Sequence, residues 1–600
     1  MRLLRLGIRN YRNFRHVDCG LGPHVVLLGE NGVGKSNLLR GLRLLLDPDL
    51  PDSERYLDED DFWAGGPPFG GTEIVISVDI TDYGKDASLL ACLGDHEIDA
   101  PAGHEEAVAR LTYRYGPRET VPETDLPKTG RDEYDFAIYG RDDPSNEVRR
   151  DVRRFLMFKL LPALRDAEGD LRAWRRSPLR PLLTGAIPHL DPATLAEASS
   201  AIDDATDKIA AEVPLVELTG AIAKHVDELI GKQHHLEPTL GFGSTDPKYL
   251  LRSLKLFVDA ERAWDVSSTS LGLANVVYLA LLLLRVRQQE EASELAAMLL
   301  GIEEPEAHLH PQMQRKVFRH LLARDRPVIV STHSPSIASV ASVRSIVLLR
   351  TEADTSTLSS LADASGFTEQ ELTDLARYLD VTRAEMLFGR GVVLIEGDTE
   401  KFIVPAAARL GAPPIDLDEY GVSVCSVAGT DFVPYTKLLH HLGIPYAVVT
   451  DGDGNDATGE GACPGIDRGL KVLRAVGADT ESIERHLKQG DVAVAVTALG
   501  ALGVFVGRRT LESDAYALGA GARMGAAFKD LRPSTTDATL EVFTAGTALD
   551  DAHEAKLIAL VERVGKGRFA QRFAEHVVAG DVPAHIRGAL EWIVSRVSND

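Results

Sequence analysis

An α/β protein built from two sheet-based modules is expected, on three observations. Short, wholly apolar stretches recur at residues 25–28, 295–302, 328–330, 392–395 and 446–449. Stretches of this kind read as strands, and an unbroken apolar run fits a strand buried on both faces. Each is followed by a polar or glycine-containing turn, the position at the carboxyl end of a parallel strand where ligands bind. A polar stretch, 351–370, separates the first three from the last two and is expected to be a loop or hinge.

The bulk properties set limits. With 600 residues the chain exceeds one hydrophobic core, so about two to four domains are expected. The longest unbroken greasy run, 276–284, is too short to span a bilayer, and the N-terminal MRLLRLGIRNYRNF interleaves Arg with its apolar residues, unlike a secretion signal. A cytoplasmic location with no membrane association is therefore expected. Cys19, Cys92, Cys425 and Cys463 are scattered, without zinc-ligand spacing or a disulfide framework. The formal charge of −25 argues against a polybasic nucleic-acid binder but leaves room for local basic patches. Arg149, Arg150, Arg153 and Arg154, then Arg172, Arg175, Arg176 and Arg180, form such concentrations. A solvated helix face is favoured for them over a DNA track.

In chain order, LLRLGIRNYRNF alternates as a half-buried strand does, and TEIVISVDITD reads as another. Between them GENGVGKS (29–36) follows an apolar strand and precedes the helical run NLLRGLRLLL, the setting a phosphate-binding loop requires. Its glycines let backbone amides wrap phosphates, Lys35 offsets their charge, and the Ser36 hydroxyl suits Mg²⁺. Asn31, Gly32, Gly34, Lys35, Ser36 and Asn37 are thus the candidate nucleotide-binding residues. The strand at 295–302 delivers two carboxylates, Glu303 and Glu304. One can hold Mg²⁺ and the other polarise the attacking water; Glu303 is assigned to the cofactor and Glu304 to catalysis. VIVSTHSP places His333 at another strand end, where it can donate to a γ-phosphate.

The second module carries acids. GVVLIEGDTEKF ends a strand at Glu396 and brings Glu400 into the first turn of a helix. YAVVTDGDG ends a strand at Asp451 and Asp453, alternate residues that face one way on an extended chain. VFVGRRTLESD adds Thr510, Glu512 and Asp514. Carboxylates gathered this closely repel one another unless cations offset them, and Mg²⁺ and Mn²⁺ prefer oxygen ligands. Two such ions roughly 3.5–4 Å apart can stabilise both the attacking and the leaving oxygen of a phosphodiester.

The first set of motifs resembles the ABC ATPases of the RecF and SMC type, and SLGLAN (270–275) is similar to their signature motif, with Ser270 and Gly272 as candidate nucleotide contacts. Three departures stand out: Glu303 replaces the usual Asp, the signature lacks the full LSGGQ, and 50–150 shows no obvious Q-loop glutamine. The acidic set resembles the Toprim domain. Together they resemble the OLD (overcoming lysogenization defect) family, across essentially the whole chain. LPALRDAEGDL (161–171) and EEPEAHLHP (303–311) also look family-like. The resemblance implies ATP with Mg²⁺, with Mn²⁺ an option at the second site, and cleavage or nicking of DNA. It implies Glu396, Glu400, Asp451, Asp453 and Glu512 as metal ligands, with Thr510 and Asp514 as further candidates, and a catalytic role for Lys566 in VGKGRFAQRFA. It also implies an ATP-responsive homodimer or higher homo-oligomer. The length of the C-terminal region fits a class 2-like member, and with it a helicase-like partner protein.

The expected organisation is an ABC-type ATPase domain with a helical insert, followed by a Toprim α/β domain with C-terminal helices. Residues 1–150 and 241–375 form the ATPase, 151–240 a helical insert serving dimerisation, and 385–600 the Toprim nuclease domain. The alternative is a RecF- or SMC-like DNA-repair ATPase without nuclease activity, which predicts no organised acidic cluster in 391–514. A topoisomerase fits less well for want of a placed nucleophilic tyrosine, a primase because it would not ordinarily carry an ABC ATPase, and a structural SMC protein for want of long coiled coils.

Overall fold

The computed structural model describes residues 1–598 apart from 102–103, 119–130, 164–166, 174–176, 231–255, 260–263, 266–269, 293–294, 325, 363–365, 455–462 and 545–549. Arg175 and Arg176, and most of the Gly/Asp-rich loop 452–465, lie outside the described residues. The chain divides into a large unit (residues 1–163, 297–306 and 310–600) and a small one (164–296 and 307–309).

Three sheets make up the large unit. The first is antiparallel: Arg2–Tyr11 lies between Phe14–Gly20 and Ile74–Thr81, and Val108–Pro117 follows, itself bordered by Glu97–Ile98 and Tyr134–Gly140. Arg2–Tyr11 alternates between buried and accessible residues, as its sequence predicts.

The second sheet has the order Thr355–Ser360, Ile346–Glu352, Val25–Leu28, Val328–Ser331, Ala297–Glu303, Leu156–Leu161. All its pairings are parallel except the first, a hairpin. Val25–Leu28 and Val328–Ser331 are buried at every position, because strands in the middle of such a sheet are covered on both faces.

Two differences from the sequence reading follow. Leu156–Leu161, inside the stretch read as helical insert, is the edge strand beside Ala297–Glu303. The stretch read as a loop from 351 instead turns at Ala353, which takes a positive φ, and returns as the strand Thr355–Ser360. Its Ser and Thr hydroxyls made it look like loop, yet Ser356 is buried and hydrogen-bonded.

The third sheet is parallel, in the order Val422–Ser426, Gly391–Ile395, Tyr446–Thr450, Val504–Val506. Side chains of Gly391–Ile395 alternate between two cores. Val392 and Leu394 join a cluster that continues through Leu375 and Met386 to Val26 and Leu348 of the second sheet. Val393 and Ile395 face the C-terminal helices, including Ile586 and Ile593. Burying such side chains stabilises each face by roughly 1.5–3 kcal/mol per residue.

The small unit contains the helices Pro192–Ala210, Val213–Ile230 and Leu271–Glu291. The last is a 21-residue helix that contains the apolar run 276–284, which Arg285 ends; by length and composition alone it could cross a membrane. Its N-cap is Ser270, Ala274 packs against Leu171 and Leu256, and charged residues close its last turn.

Candidate nucleotide and metal sites

The P-loop joins Val25–Leu28 to the helix Lys35–Leu46. Gly34 has φ 101°, and a Cβ there would fall 1.9 Å from Asn13 Nδ2, so both conformation and space demand glycine. Lys35 Nζ donates to the carbonyls of Gly29 at 2.9 Å and Glu30 at 2.8 Å, which folds the loop around its own ammonium. Burial pushes the Lys35 ammonium down to about 8, against the pull of Glu304, Glu306, Glu30 and Glu303. Ser36 Oγ donates to Glu303 Oε1, so the two proposed Mg²⁺ groups meet directly. Glu304 takes a positive φ of 43° and is pinned by its amide to Ser331 O at 2.9 Å. His333 Nε2 stands 3.7 Å from Glu304 Oε1, buried and without a hydrogen-bond partner among the described residues. Burial, and then Lys35, lower the His333 pKa, which favours a neutral ring.

Several groups that the sequence reading passed over hold this arrangement. Glu306 accepts from the His333 amide at 2.6 Å and from Thr332 Oγ1 at 2.8 Å, fixing the strand end. Arg12 donates to Asn37 Oδ1 at 2.6 Å and to Asp61 Oδ1, and Asn13 Nδ2 donates to Val33 O at 2.7 Å. The third acid of EEPE and the polar end of RNYRN were the available signals. Asn31 and Gly32 are exposed on the loop. Ser270 and Gly272 belong to the small unit: Ser270 Oγ accepts from Leu273 N at 3.4 Å, and Gly272 lies against the His308 carbonyl.

The acidic site sits at the carboxyl ends of the third sheet. Glu396 Oε1 accepts from Thr450 Oγ1, from the Asp451 amide at 3.0 Å and from Arg468 Nη2 at 3.1 Å. Glu400 lies on the helix Asp398–Arg409, 5 % exposed, and accepts from the Gly397 amide at 3.1 Å. Glu512, 2 % exposed, accepts from Thr399 Oγ1 at 2.9 Å. Burial, with Glu400, Glu396, Glu512 and Asp453 adding repulsion, pushes Asp451 up to about 9. Burial, with Glu512 and Glu396, pushes Glu400 up to about 7. The sequence-predicted acids Glu396, Glu400, Asp451, Asp453 and Glu512 therefore share one electrostatic environment.

Thr510 and Asp514 are engaged differently. Thr510 caps the helix Leu511–Ala515. Asp514 accepts from the Arg508 amide at 2.9 Å and the Arg509 amide at 3.2 Å, and lies 3.9 Å from His585. Asp514 thereby fastens the 507–509 turn, whose Arg509 carbonyl accepts from the Gly452 amide at 2.9 Å. A Cβ on Gly452 would meet Gly507 O at 2.3 Å and Arg508 O at 2.4 Å, so glycine lets the acidic strand end approach this turn. Lys566 opens the helix Lys566–His576 and lies 3.9 Å from Glu562. Its neighbour Gly567 abuts Asp398, at the start of the helix bearing Glu400.

Arg468 was not foreseen. It lies on the helix Pro464–Ala475 and places its guanidinium among Glu396, Asp453 Oδ2 at 2.8 Å, Thr450 Oγ1 at 2.9 Å and the Asp451 carbonyl. Among the described residues no three Asp, Glu, His or Cys side chains close around one point as metal ligands. The donor chemistry nonetheless fits a hard divalent cation. Glu396, Glu400, Asp451, Asp453 and Glu512 all offer carboxylate oxygens, and the repulsion held by Asp451 and Glu400 is of the kind a cation relieves.

Two family models match separate stretches of the chain. Residues 387–453 match the family model "Overcoming lysogenization defect protein-like, TOPRIM domain". Residues 25–339 match "AAA domain, putative AbiEii toxin, Type IV TA system". The chain is 26% identical over 474 residues to the OLD nuclease of Thermus scotoductus, covering 75% of this chain and 82% of that one. It is 24% identical over 501 residues to the endonuclease GajA of Bacillus cereus, covering 81% of each. Against the solved C-terminal region of the Burkholderia pseudomallei OLD protein it is 36% identical, covering 35% of this chain and 99% of that one, with a TM-score of 0.31.

Proposed function

The chain belongs to the OLD family of ATPase-linked nucleases, its residues 25–339 to the AAA-domain family, and from that premise we propose that it is an ATP-regulated, divalent-metal-dependent DNA endonuclease. The observation that carries the reading is that Glu396 and Asp451, at two neighbouring strand ends, share one half-buried environment with Glu512 of the helix Leu511–Ala515, where burial and then mutual repulsion push Asp451 up to about 9. The nuclease names of the relatives support it.

In this reading Glu396, Glu400, Asp451, Asp453 and Glu512 hold Mg²⁺ or Mn²⁺, which when bound supplies charge stabilisation at a phosphodiester and an activated water. Thr450 and the Asp451 amide keep the Glu396 carboxylate in place, and Thr399 does the same for Glu512. Thr510 and Asp514 brace the 507–514 turn, and Lys566 stabilises charge that develops in the transition state. In the ATPase, Asn31 to Asn37 cradle the phosphates, Ser36 and Glu303 hold Mg²⁺, Glu304 orients the attacking water, and His333 donates to the γ-phosphate. Ser270 and Gly272 complete the nucleotide site of a second protomer in a homodimer or higher homo-oligomer formed through the 151–240 segment. The active assembly is a cytoplasmic enzyme acting with a helicase-like partner.

Plasmid cleavage with Mg²⁺ or Mn²⁺, with and without ATP, tests the assignment. Lys35→Ala is expected to lose ATP hydrolysis and Glu396→Ala to lose cutting. Normal cutting by Glu396→Ala removes the proposed centre.

A further inference from the structure

The acidic site contains a positive charge of its own. Arg468 stands one turn into Pro464–Ala475, and that helix is seated on the acidic strand end. The Gly465 amide donates to Gly452 O at 3.1 Å, and a Cβ on Gly465 would fall 2.3 Å from the Asp451 carbonyl. From this seat the guanidinium spends its donors on Glu396 Oε1, Asp453 Oδ2, the Asp451 carbonyl and Thr450 Oγ1. Its side chain is 14 % exposed. An arginine so placed serves as a counter-ion in a half-buried setting, where ion pairs are far less screened than at the surface.

The oxygens it takes are those a divalent cation needs. Arg468 supplies one positive charge against five carboxylates, those of Glu396, Glu400, Asp451, Asp453 and Glu512, and its guanidinium touches only Glu396 and Asp453 among them. A divalent ion brings twice the charge in a compact sphere and compacts the carboxylates further than a planar guanidinium can. Glu396 Oε1 already accepts from Thr450 Oγ1, the Asp451 amide and Arg468, so a cation that takes this oxygen displaces the guanidinium.

We propose that Arg468 is the resident counter-cation of the nuclease site, holding Glu396 and Asp453 in place until a divalent ion displaces it, and so setting the site's affinity for that ion. This rests on the metal-dependent reading above. Arg468 is then a positioning residue. Removing it strengthens metal binding and weakens the metal-free protein.

The test is calorimetric titration of Mn²⁺ into full-length protein without nucleotide, for wild type, Arg468→Met, Arg468→Lys and Glu400→Gln, alongside thermal melts in EDTA and in Mn²⁺. Arg468→Met is expected to bind Mn²⁺ about tenfold more tightly, as loss of a competing charge at this range implies, and to melt lower in EDTA but not in Mn²⁺. Arg468→Lys, which keeps the charge but not the fork of donors, is expected to bind Mn²⁺ between wild type and Arg468→Met. If Glu400→Gln abolishes binding but Arg468→Met binds Mn²⁺ no better than wild type, the proposal is wrong and the metal site stands. If wild type and Glu400→Gln bind identically, the metal site fails and the proposal with it.

Discussion

The Asp451 amide donates to Glu396 Oε1 at 3.0 Å, so the ends of two neighbouring strands are tied through one carboxylate. Asp451 contributes only its backbone amide to this tie, so replacing its side chain separates chemistry from folding. Asp451→Asn removes a buried carboxyl that three neighbouring glutamates repel. The metal-free protein should keep its stability or gain about 1 kcal/mol. DNA cutting should fall below detection while ATP hydrolysis persists. Melting in EDTA and plasmid nicking measure the two sides.

The raised carboxyls fix a pH dependence. Asp451 and Glu400 titrate near 9 and 7 in the folded chain, against about 3.9 and 4.3 when unfolded. Between those limits the native state binds more protons than the unfolded state, so stability falls as pH rises from about 4 toward 9. Divalent cations favour the ionised forms and should flatten the decline. Thermal melts from pH 5 to 9, in EDTA and in Mg²⁺, should diverge most at the alkaline end; parallel curves would count against the cluster.

At the other site, Glu304 is held by its backbone to Ser331 and lies 3.7 Å from His333 Nε2. Glu304→Gln should slow ATP hydrolysis by about 100-fold, the scale of losing a general base, while nucleotide binding is retained. Lys35→Ala should lose binding itself. Fluorescent-nucleotide binding and phosphate release separate these outcomes.

Gly452→Ala tests the packing behind the acids. Its Cβ would press on the carbonyls of Gly507 and Arg508, backbone atoms that cannot swing aside. A cost of about 3 kcal/mol is expected, with at least tenfold less cutting and unchanged ATP hydrolysis.

The motif-bearing strands were legible because a strand buried on both faces has an apolar signature and its end declares the ligand groups. Val25–Leu28, Ala297–Glu303, Gly391–Ile395 and Tyr446–Thr450 are such strands, and Lys35, Glu303, Glu396 and Asp451 follow from them in turn. Thr355–Ser360 was missed because a hydroxyl-rich strand satisfies its polar groups through tertiary partners that composition does not show. Arg468 was missed for a related reason. It lies in an ordinary amphipathic helix, and only the seating of that helix on Gly452 aims it at the acids. Thr510 and Asp514 sit in the right segment, but their side chains serve the local turn and helix cap.

The hairpin strand Thr355–Ser360 bears on where the molecule can be cut. Ser356 donates from its amide to Asn13 O and from its hydroxyl to Val33 O, while Asn13 spans Val33 and Ser356. A recombinant ATPase fragment terminated at Arg350 would shed this clasp and leave the nucleotide loop slack, whereas one continued through Leu361 would retain it. Subcloning boundaries therefore belong after the hairpin.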